Sequence, residues 1–202
     1  MTGFKLFGSL YSGHSYKVRQ AFLLCGIPHE YQAIDIAMPR DKRDSEWRSA
    51  ATFGEVPVLL DNGKSYVQSN GILLHLARKF PALQGPYTIS DIESWLFWES
   101  NRIGGSLPNY RYLKLFEGSR DKAAMDWLFK RMLADMASLE ERLSDRPYLL
   151  GDTISSVDMS CSGYLQYRDL PDLDLHAYQN VMDWLDRISA QPGWLSPQNC
   201  MG

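Results

Sequence analysis

The spacing of the apolar residues changes near residue 80, and this change constrains the fold more than any other feature of the sequence. Before residue 80, short apolar runs of strand length alternate with segments of helical period. After it, nearly every apolar stretch repeats at intervals of three or four residues. A stretch containing proline and glycine, 81–88, separates the two parts. We therefore predict an α/β domain over 1–80, a linker over 81–88 and an all-α domain over 89–202.

The first domain is predicted to have the element order βαβ, then a further helix, then ββα. This order is typical of a small mixed sheet with helices on its faces. Asn62-Gly63 favours a tight hairpin turn because both residues accept positive φ, and Gly26 is a typical helix terminator. The predicted strands are 4–7, 30–36, 57–60 and 65–67, and the predicted helices are 15–25, 41–51 and 69–80.

The second domain is predicted to contain a long helix over 89–116, bent or interrupted near Gly104-Gly105 and Pro108. A second helix carries an apolar stripe at intervals of three and four residues. Further helices are predicted over 156–168 and 177–190. Ser155 and Asp158 have the spacing of a capping box, which indicates a helix start rather than a catalytic site. The stripe consists of Leu128, Met132, Met136, Leu139 and Leu143.

Composition excludes several classes of function. The 202 residues carry 21 Lys and Arg against 24 Asp and Glu, so no basic surface for a nucleic acid is expected. Since the sequence has neither an apolar stretch of about 18 residues nor the pattern of a signal peptide, we expect a cytoplasmic protein without a membrane span. The three cysteines, Cys25, Cys161 and Cys200, form no CxxC pair, so neither a disulfide framework nor a zinc site is expected.

A hydroxyl residue follows the first predicted strand, where Ser12 precedes the first predicted helix. The amides at a helix start and the helix dipole lower the pKa of a thiol bound there, and a serine hydroxyl can donate a hydrogen bond to the resulting thiolate. Ser12 or Ser15 can equally serve only as a helix N-cap. The neighbouring His14 either polarises Ser12 or is a solvated side chain of the turn.

Two further short motifs lie at the edge of the predicted sheet. Pro57 begins a strand, which a trans proline at a sheet edge or a cis Val56–Pro57 bond can explain. A cis bond would turn the backbone of Val56 outward, where it could pair with a peptide ligand. Ser69 either caps the third helix or offers its hydroxyl and amide to a carboxylate, and Gln68 can bond an ammonium or a carboxylate group.

Together, the Ser12 turn, Val56-Pro57-Val58-Leu59, Gln68-Ser69 and the capping box resemble the cytosolic glutathione S-transferase family. The resemblance covers nearly the whole chain and implies a thioredoxin-like N-terminal domain that binds glutathione, followed by an all-helical domain that forms the acceptor-substrate pocket. The run after Ser12 is similar to that of serine-type zeta and theta members, and the chain looks bacterial. His14 departs from the zeta pattern, which has cysteine there, so a zeta-type isomerase activity is in doubt.

The resemblance also implies roles for individual residues. Ser12 would activate the glutathione thiol, with Tyr11 as its main competitor, and the Val56–Pro57 bond would be cis. The backbone of Val56 would pair with the cysteinyl unit, while Gln68 and Ser69 would hold the γ-glutamyl end. The glycine carboxylate would meet Arg40 or Lys42. The residues expected in the acceptor pocket are Tyr11, Trp98, Leu107, Tyr110 and Tyr112, although Trp98 can instead pack within the helical domain.

The implied function is transfer of glutathione to small, apolar electrophiles, with glutathione as co-substrate and no metal or tightly bound cofactor. A glutathione-dependent isomerase, peroxidase or dehalogenase would use the same thiolate. A non-catalytic relative that binds ligands or partners is the alternative of a different class. The resemblance also implies a homodimer whose interface is the first stretch of the 89–116 helix. Because a hydroxyl at position 12 cannot form a mixed disulfide, thiol transfer is disfavoured.

Overall fold

A computed structural model describes residues 3–117, 121–168, 170 and 172–202. Its N-terminal part is a four-stranded sheet in the order β2-β1-β3-β4, in which β1 and β2 are parallel and the other pairs are antiparallel. This is the predicted thioredoxin-like arrangement. The strands are β1 (Phe4–Gly8), β2 (Glu30–Ala33), β3 (Val58–Asp61) and β4 (Lys64–Val67), and the helices are α1 (Gly13–Leu24), α2 (Ser45–Ala50) and α3 (Ser69–Lys79).

Alternation along β1 separates the two faces of this sheet. Leu6 faces the main core, where α1 and α3 pack, and the next residue, Phe7, faces a smaller cluster with Trp47 of α2. The β3–β4 hairpin closes at Asn62 and Gly63, which both have positive φ (51° and 83°). The turn predicted from Asn-Gly is therefore confirmed.

The C-terminal part is helical, as predicted. A four-residue helix, α4 (Pro81–Gln84), lies inside the stretch predicted as a linker. The later helices are α5 (Ile89–Asn101), α6 (Ile103–Tyr112), α7 (Lys122–Arg142), α8 (Ser156–Ser162), α9 (Gln179–Ser189) and α10 (Pro197–Met201). Shorter turns lie at Arg40–Lys42, Leu113–Glu117, Leu165–Tyr167 and Leu175–Ala177.

The predicted long helix is two helices, and its break lies before the glycines. Arg102 has φ −110° and ψ −92°, which ends α5 and starts α6, while Gly104, Gly105 and Pro108 all lie inside α6. The break reorients the second half of the segment, so residues on α5 and α6 that would share one face of a continuous helix no longer do.

The capping box is confirmed and has a wider structural role. The Asp158 carboxylate accepts hydrogen bonds from the backbone N–H of Ser155 (2.9 Å) and of Leu149 (3.0 Å), and from the indole of Trp184 (2.9 Å). It therefore joins the start of α8, the preceding loop and α9. Every one of these groups is buried, so the bonds satisfy polar atoms that water does not reach.

A buried polar network holds the two domains together. Lys17 of α1 and Glu99 of α5 form an ion pair at 3.1 Å, and both side chains are almost fully buried. Asn70 of α3 donates to Glu99 (2.6 Å) and accepts from Ser160 of α8 (2.7 Å). Four helices from both domains therefore meet at one set of hydrogen bonds.

None of the helices in the described part of the chain combines the length and the apolar character that a membrane span requires.

Candidate functional site

A cleft of about 820 Å³ opens between the two domains. The N-terminal domain contributes the start of α1, the segment before β3 and the β4–α3 junction, and the C-terminal domain contributes α5, α6 and a residue that follows α8. The side chains and backbone that line it include Tyr11, Ser12, His14, Arg43, Phe53, Glu55, Val56, Pro57, Gln68, Ser69, Asn70, Glu99, Pro108, Arg111, Tyr112 and Tyr164.

Ser12 lies at the N-terminus of α1 and lines this cleft. It is the N-cap residue: its backbone is extended (φ −104°, ψ 106°), and its hydroxyl oxygen accepts a hydrogen bond from the N–H of Ser15 at 3.1 Å. Capping leaves the hydroxyl hydrogen available, because the oxygen is the acceptor in that bond. The positive end of the α1 dipole therefore coincides with a hydroxyl donor. Ser15, in contrast, is fully buried outside the cleft.

The segment before β3 and the β4–α3 junction face Ser12 across the cleft. The Val56–Pro57 peptide bond is cis, as the resemblance implied, and both residues line the cleft. Gln68 has a positive φ of 64°, a conformation that costs a non-glycine residue about 1–3 kcal/mol and that clusters at functional sites. Its amide donates to Glu55 at 2.9 Å.

The prediction that Ser69 caps α3 is wrong. Gln68 occupies the N-cap position, and Ser69 is the first residue of the helix. Because Ser69 does not cap the helix, its hydroxyl is directed across the cleft, where it lies 3.4 Å from Nδ1 of His14. The residue thus contributes to the cleft rather than to the helix end.

His14 is half-buried in the cleft and is not a solvated turn residue. Burial, together with the nearby Lys17 charge, lowers its pKa from 6.5 to about 4. Its imidazole is therefore neutral at pH 7. The ring meets the ring of Tyr164 edge-on, with centroids 5.0 Å apart.

Two arginines line the cleft, Arg111 of α6 and Arg43, and the sequence reasoning selected neither. Arg43 lies on the side of the thioredoxin-like domain. Its guanidinium donates to the carbonyl oxygens of Ile36 (2.6 Å) and Met38 (2.8 Å), which hold it at the cleft wall. Arg40 packs under Gly54 instead, and Lys42 is exposed and pairs with Asp41 at 3.7 Å. Neither Arg40 nor Lys42 lines the cleft.

On the acceptor side, two of the five predicted residues line the cleft. Tyr11 and Tyr112 do so and are about half exposed (55% and 50%). The placement of Trp98, Leu107 and Tyr110 in this cleft is wrong. The break at Arg102 is the reason, because α6 presents Gly104, Pro108 and Arg111 to the cleft, at helical spacing.

The three excluded residues pack elsewhere. Trp98 meets Trp95 edge-on at 5.2 Å, and both border a separate surface cavity of about 680 Å³ between α5 and the end of α7. Leu107 and Tyr110 are buried in the helical core, where the Tyr110 ring lies against Phe129. The alternative that Trp98 packs within the helical domain is therefore the correct one.

Tyr164 is a further cleft residue that the sequence analysis did not place in the site. It follows α8, and its ring lies directly on Gly13, the first residue of α1. No local signal in the sequence marks this residue, because its position depends on the docking of α8 against α1. Within the described ranges, no group of three or more His, Cys, Asp or Glu residues could hold a metal ion.

Comparisons with known proteins agree with this geometry. Residues 6–86 match the family model described as "Glutathione S-transferase, N-terminal domain", and residues 95–192 match "Glutathione S-transferase, C-terminal domain". The chain belongs to the glutathione S-transferase family. The fold and the resemblance inferred from the sequence are thus confirmed at the level of the family, while the zeta or theta subtype stays a prediction.

Individual relatives are distant in sequence and close in fold. Glutathione S-transferase F10 of Arabidopsis thaliana is 26% identical, over 84% of this chain and 84% of its own. Solved structures of glutathione S-transferases from Pseudomonas fluorescens and Xanthobacter autotrophicus each superpose with a TM-score of 0.85 at 27% identity. They cover 96% and 98% of this chain, respectively, and 98% of their own.

Proposed function

We propose that the protein is a glutathione transferase that joins the glutathione thiolate to small electrophiles. One observation carries this proposal: Ser12 caps α1 inside the interdomain cleft, so that a hydroxyl donor and the positive end of a helix dipole meet at one point. A sulfur bound at that point is stabilised as the anion, which is the nucleophilic form. Membership of the transferase family supports the same reaction.

The cleft supports one orientation for glutathione. The backbone of Val56 would pair with the cysteinyl unit as an added strand. Gln68 and Ser69 would bind the γ-glutamyl end, and the strained φ of Gln68 supports a binding role for that residue. Arg43, rather than Arg40 or Lys42, is the cleft-lining cation of the thioredoxin-like domain and would meet the glycine carboxylate.

In the reaction, the thiol loses its proton to solvent, and the thiolate attacks the electrophile to form a carbon–sulfur bond. In a substitution the leaving group departs with the electron pair of its bond to carbon, and in an addition the displaced electron pair takes a proton from solvent. A free thiol has a pKa of about 8.5, so little thiolate exists at pH 7 without stabilisation. The hydrogen bond from Ser12 and the α1 dipole would supply that stabilisation. Phe53, Pro108 and Tyr112 provide apolar surface for the acceptor beside the bound sulfur.

Replacement of Ser12 tests the proposal. Ser12→Ala removes the donor but keeps the backbone amides, so glutathione should bind nearly as before while kcat/KM for conjugation falls about 100-fold. Ser15→Ala is the matched control, since the Ser15 hydroxyl is buried without a hydrogen-bond partner among the described residues. Conjugation of a panel of electrophiles and binding of glutathione by calorimetry are the measurements. Unchanged turnover in Ser12→Ala would rule out Ser12 as the activating residue and direct attention to Tyr11.

The same experiment separates the alternative functions. A wild-type protein that binds glutathione but turns over no electrophile in the panel is a binding protein. Turnover of a peroxide, a halide or an isomerisable substrate in place of conjugation would assign the thiolate to one of those reactions. We also propose a cytoplasmic homodimer, in keeping with the resemblance to the family.

A further inference from the structure

Tyr164 brings a second hydroxyl group to the start of α1. It lies in the turn between α8 and the short helical turn Leu165–Tyr167, and it lines the same cleft as Ser12. The residue comes from the helical domain, whereas Ser12 comes from the thioredoxin-like domain. The two domains therefore converge on one point of the cleft.

Two glycines make this convergence possible. A Cβ at Gly13 would lie 2.6 Å from ring carbons of Tyr164, and a Cβ at Gly163 would lie 2.9 Å from the carbonyl oxygen of Gly13. Neither distance is sterically permitted, so the turn can sit on α1 only because both side chains are absent. Tyr167 fixes the turn further, because its hydroxyl donates to the carbonyl oxygen of Leu10 at 2.7 Å.

The phenolic oxygen of Tyr164 interacts with the first turn of α1. Burial raises the pKa of Tyr164 to about 12, against the opposing effect of the neighbouring Ser12 hydroxyl and of the backbone of Gly13 and His14. The phenol is therefore protonated at neutral pH. A protonated phenol can donate its O–H to an acceptor, and Tyr164 lines the cleft in which the acceptor would lie.

We propose that Tyr164 is a second catalytic residue, whose hydroxyl donates a hydrogen bond to the glutathione sulfur beside Ser12. This inference rests on the proposed function. The ring of Tyr164 lies on Gly13, the residue after Ser12, and both Ser12 and Tyr164 line the cleft, so a sulfur that receives the Ser12 hydrogen also lies beside Tyr164. The thiol proton still leaves to solvent, and Tyr164 keeps its own proton throughout. A hydrogen bond to an anion is about twice as strong as one between neutral groups, so the bond favours the thiolate over the thiol.

The measurement is the pKa of the thiol in the glutathione complex, followed by the ultraviolet absorbance of the thiolate as pH is varied. Tyr164→Phe removes the hydroxyl and keeps the ring on Gly13. We expect it to raise the pKa of the bound thiol by about one unit and to lower kcat/KM about tenfold below that pKa. Tyr167→Phe, which removes a phenol that bonds to the backbone outside the cleft, is the matched control and should leave the thiol pKa unchanged.

Each outcome decides a different question. If the wild-type complex has the thiol pKa of free glutathione, the proposed function fails, and the role of Tyr164 fails with it. If the wild-type pKa is lowered and Tyr164→Phe leaves it lowered, only the role of Tyr164 is overturned. If Tyr164→Phe and Tyr167→Phe raise the pKa equally, the turn supports the site through packing and not through a hydrogen bond to sulfur, which also overturns the proposal.

Discussion

His14 stands at the start of α1 as a neutral histidine among charged neighbours. Burial first, and the Lys17 charge second, lower its pKa to about 4, against 6.5 in an unfolded chain. Between these two pH values the unfolded chain binds more protons than the folded one, so the free energy of unfolding rises with pH across that window. His14→Asn should remove about 2 kcal/mol of this rise. Urea unfolding from about pH 4 to about pH 7 is the measurement, with the exposed His176→Asn as control. Equal slopes in all three proteins would contradict the burial of a neutral His14.

For single residues, the sequence identified a functional side chain only where the local backbone structure fixes the position of that side chain. Ser12 was identifiable because a hydroxyl before a helix has few possible positions. Arg43 was not, because its direction depends on contacts that the local sequence does not reveal, with the carbonyl oxygen of Ile36 and the ring of Trp47. The role of Tyr164 depends on a glycine about 150 positions earlier in the chain, and no local pattern records that pairing.

Among the elements, α1 and the C-terminal end of α8 approach each other closely at Gly163. Gly163→Ala would place a methyl group 2.9 Å from both the Gly13 carbonyl oxygen and Cβ of Lys17, so we expect a loss of about 1–3 kcal/mol in the free energy of unfolding. Gly105→Ala, inside α6 with its nearest neighbour at 3.7 Å, is the control. It should be neutral or stabilising by up to about 1 kcal/mol because alanine favours helix. Denaturant titration of both variants is the measurement, and equal stability of the two would contradict the close approach.

The order and type of the elements followed from apolar spacing and from turn residues such as Asn62-Gly63. An interruption of the 89–116 helix near Gly104 was also predicted, but its position at Arg102 was not. Arg102 interrupts the 89–116 segment although glycine and proline stand nearby, inside the following helix. An arginine has no intrinsic tendency to end a helix, so the break reflects tertiary contacts. The guanidinium of Arg102 bonds the buried carboxylate of Asp135 on α7 at 2.6 Å, which is one such contact. Because of this break, Trp98 and Leu107 do not share one helix face that lines the cleft, and the prediction that they do was wrong.

In the whole molecule, the cleft exists only because the two domains dock in one orientation. The buried Lys17–Glu99 pair, with Asn70 and Ser160, specifies that orientation, because any shift would leave charges buried without partners. The sequence predicted both domains but not this network, whose four members come from four different helices. The same docking brings Tyr164 to Ser12, so the geometry of the site depends on the domain interface.

Outside that interface, α5 carries Phe97 with 74% of its surface exposed, which is unusual for a phenylalanine in a helix. We expect this face to be the contact between two copies of the chain, since association would remove the ring from water. Phe97→Glu would place a charge in that contact and should convert a dimer to a monomer in sedimentation velocity. Leu195→Glu is the control, because Leu195 is also an exposed apolar residue but precedes α10. If the wild-type protein is a monomer, there is no such interface. If Phe97→Glu forms a dimer as stable as that of Leu195→Glu, the interface lies elsewhere.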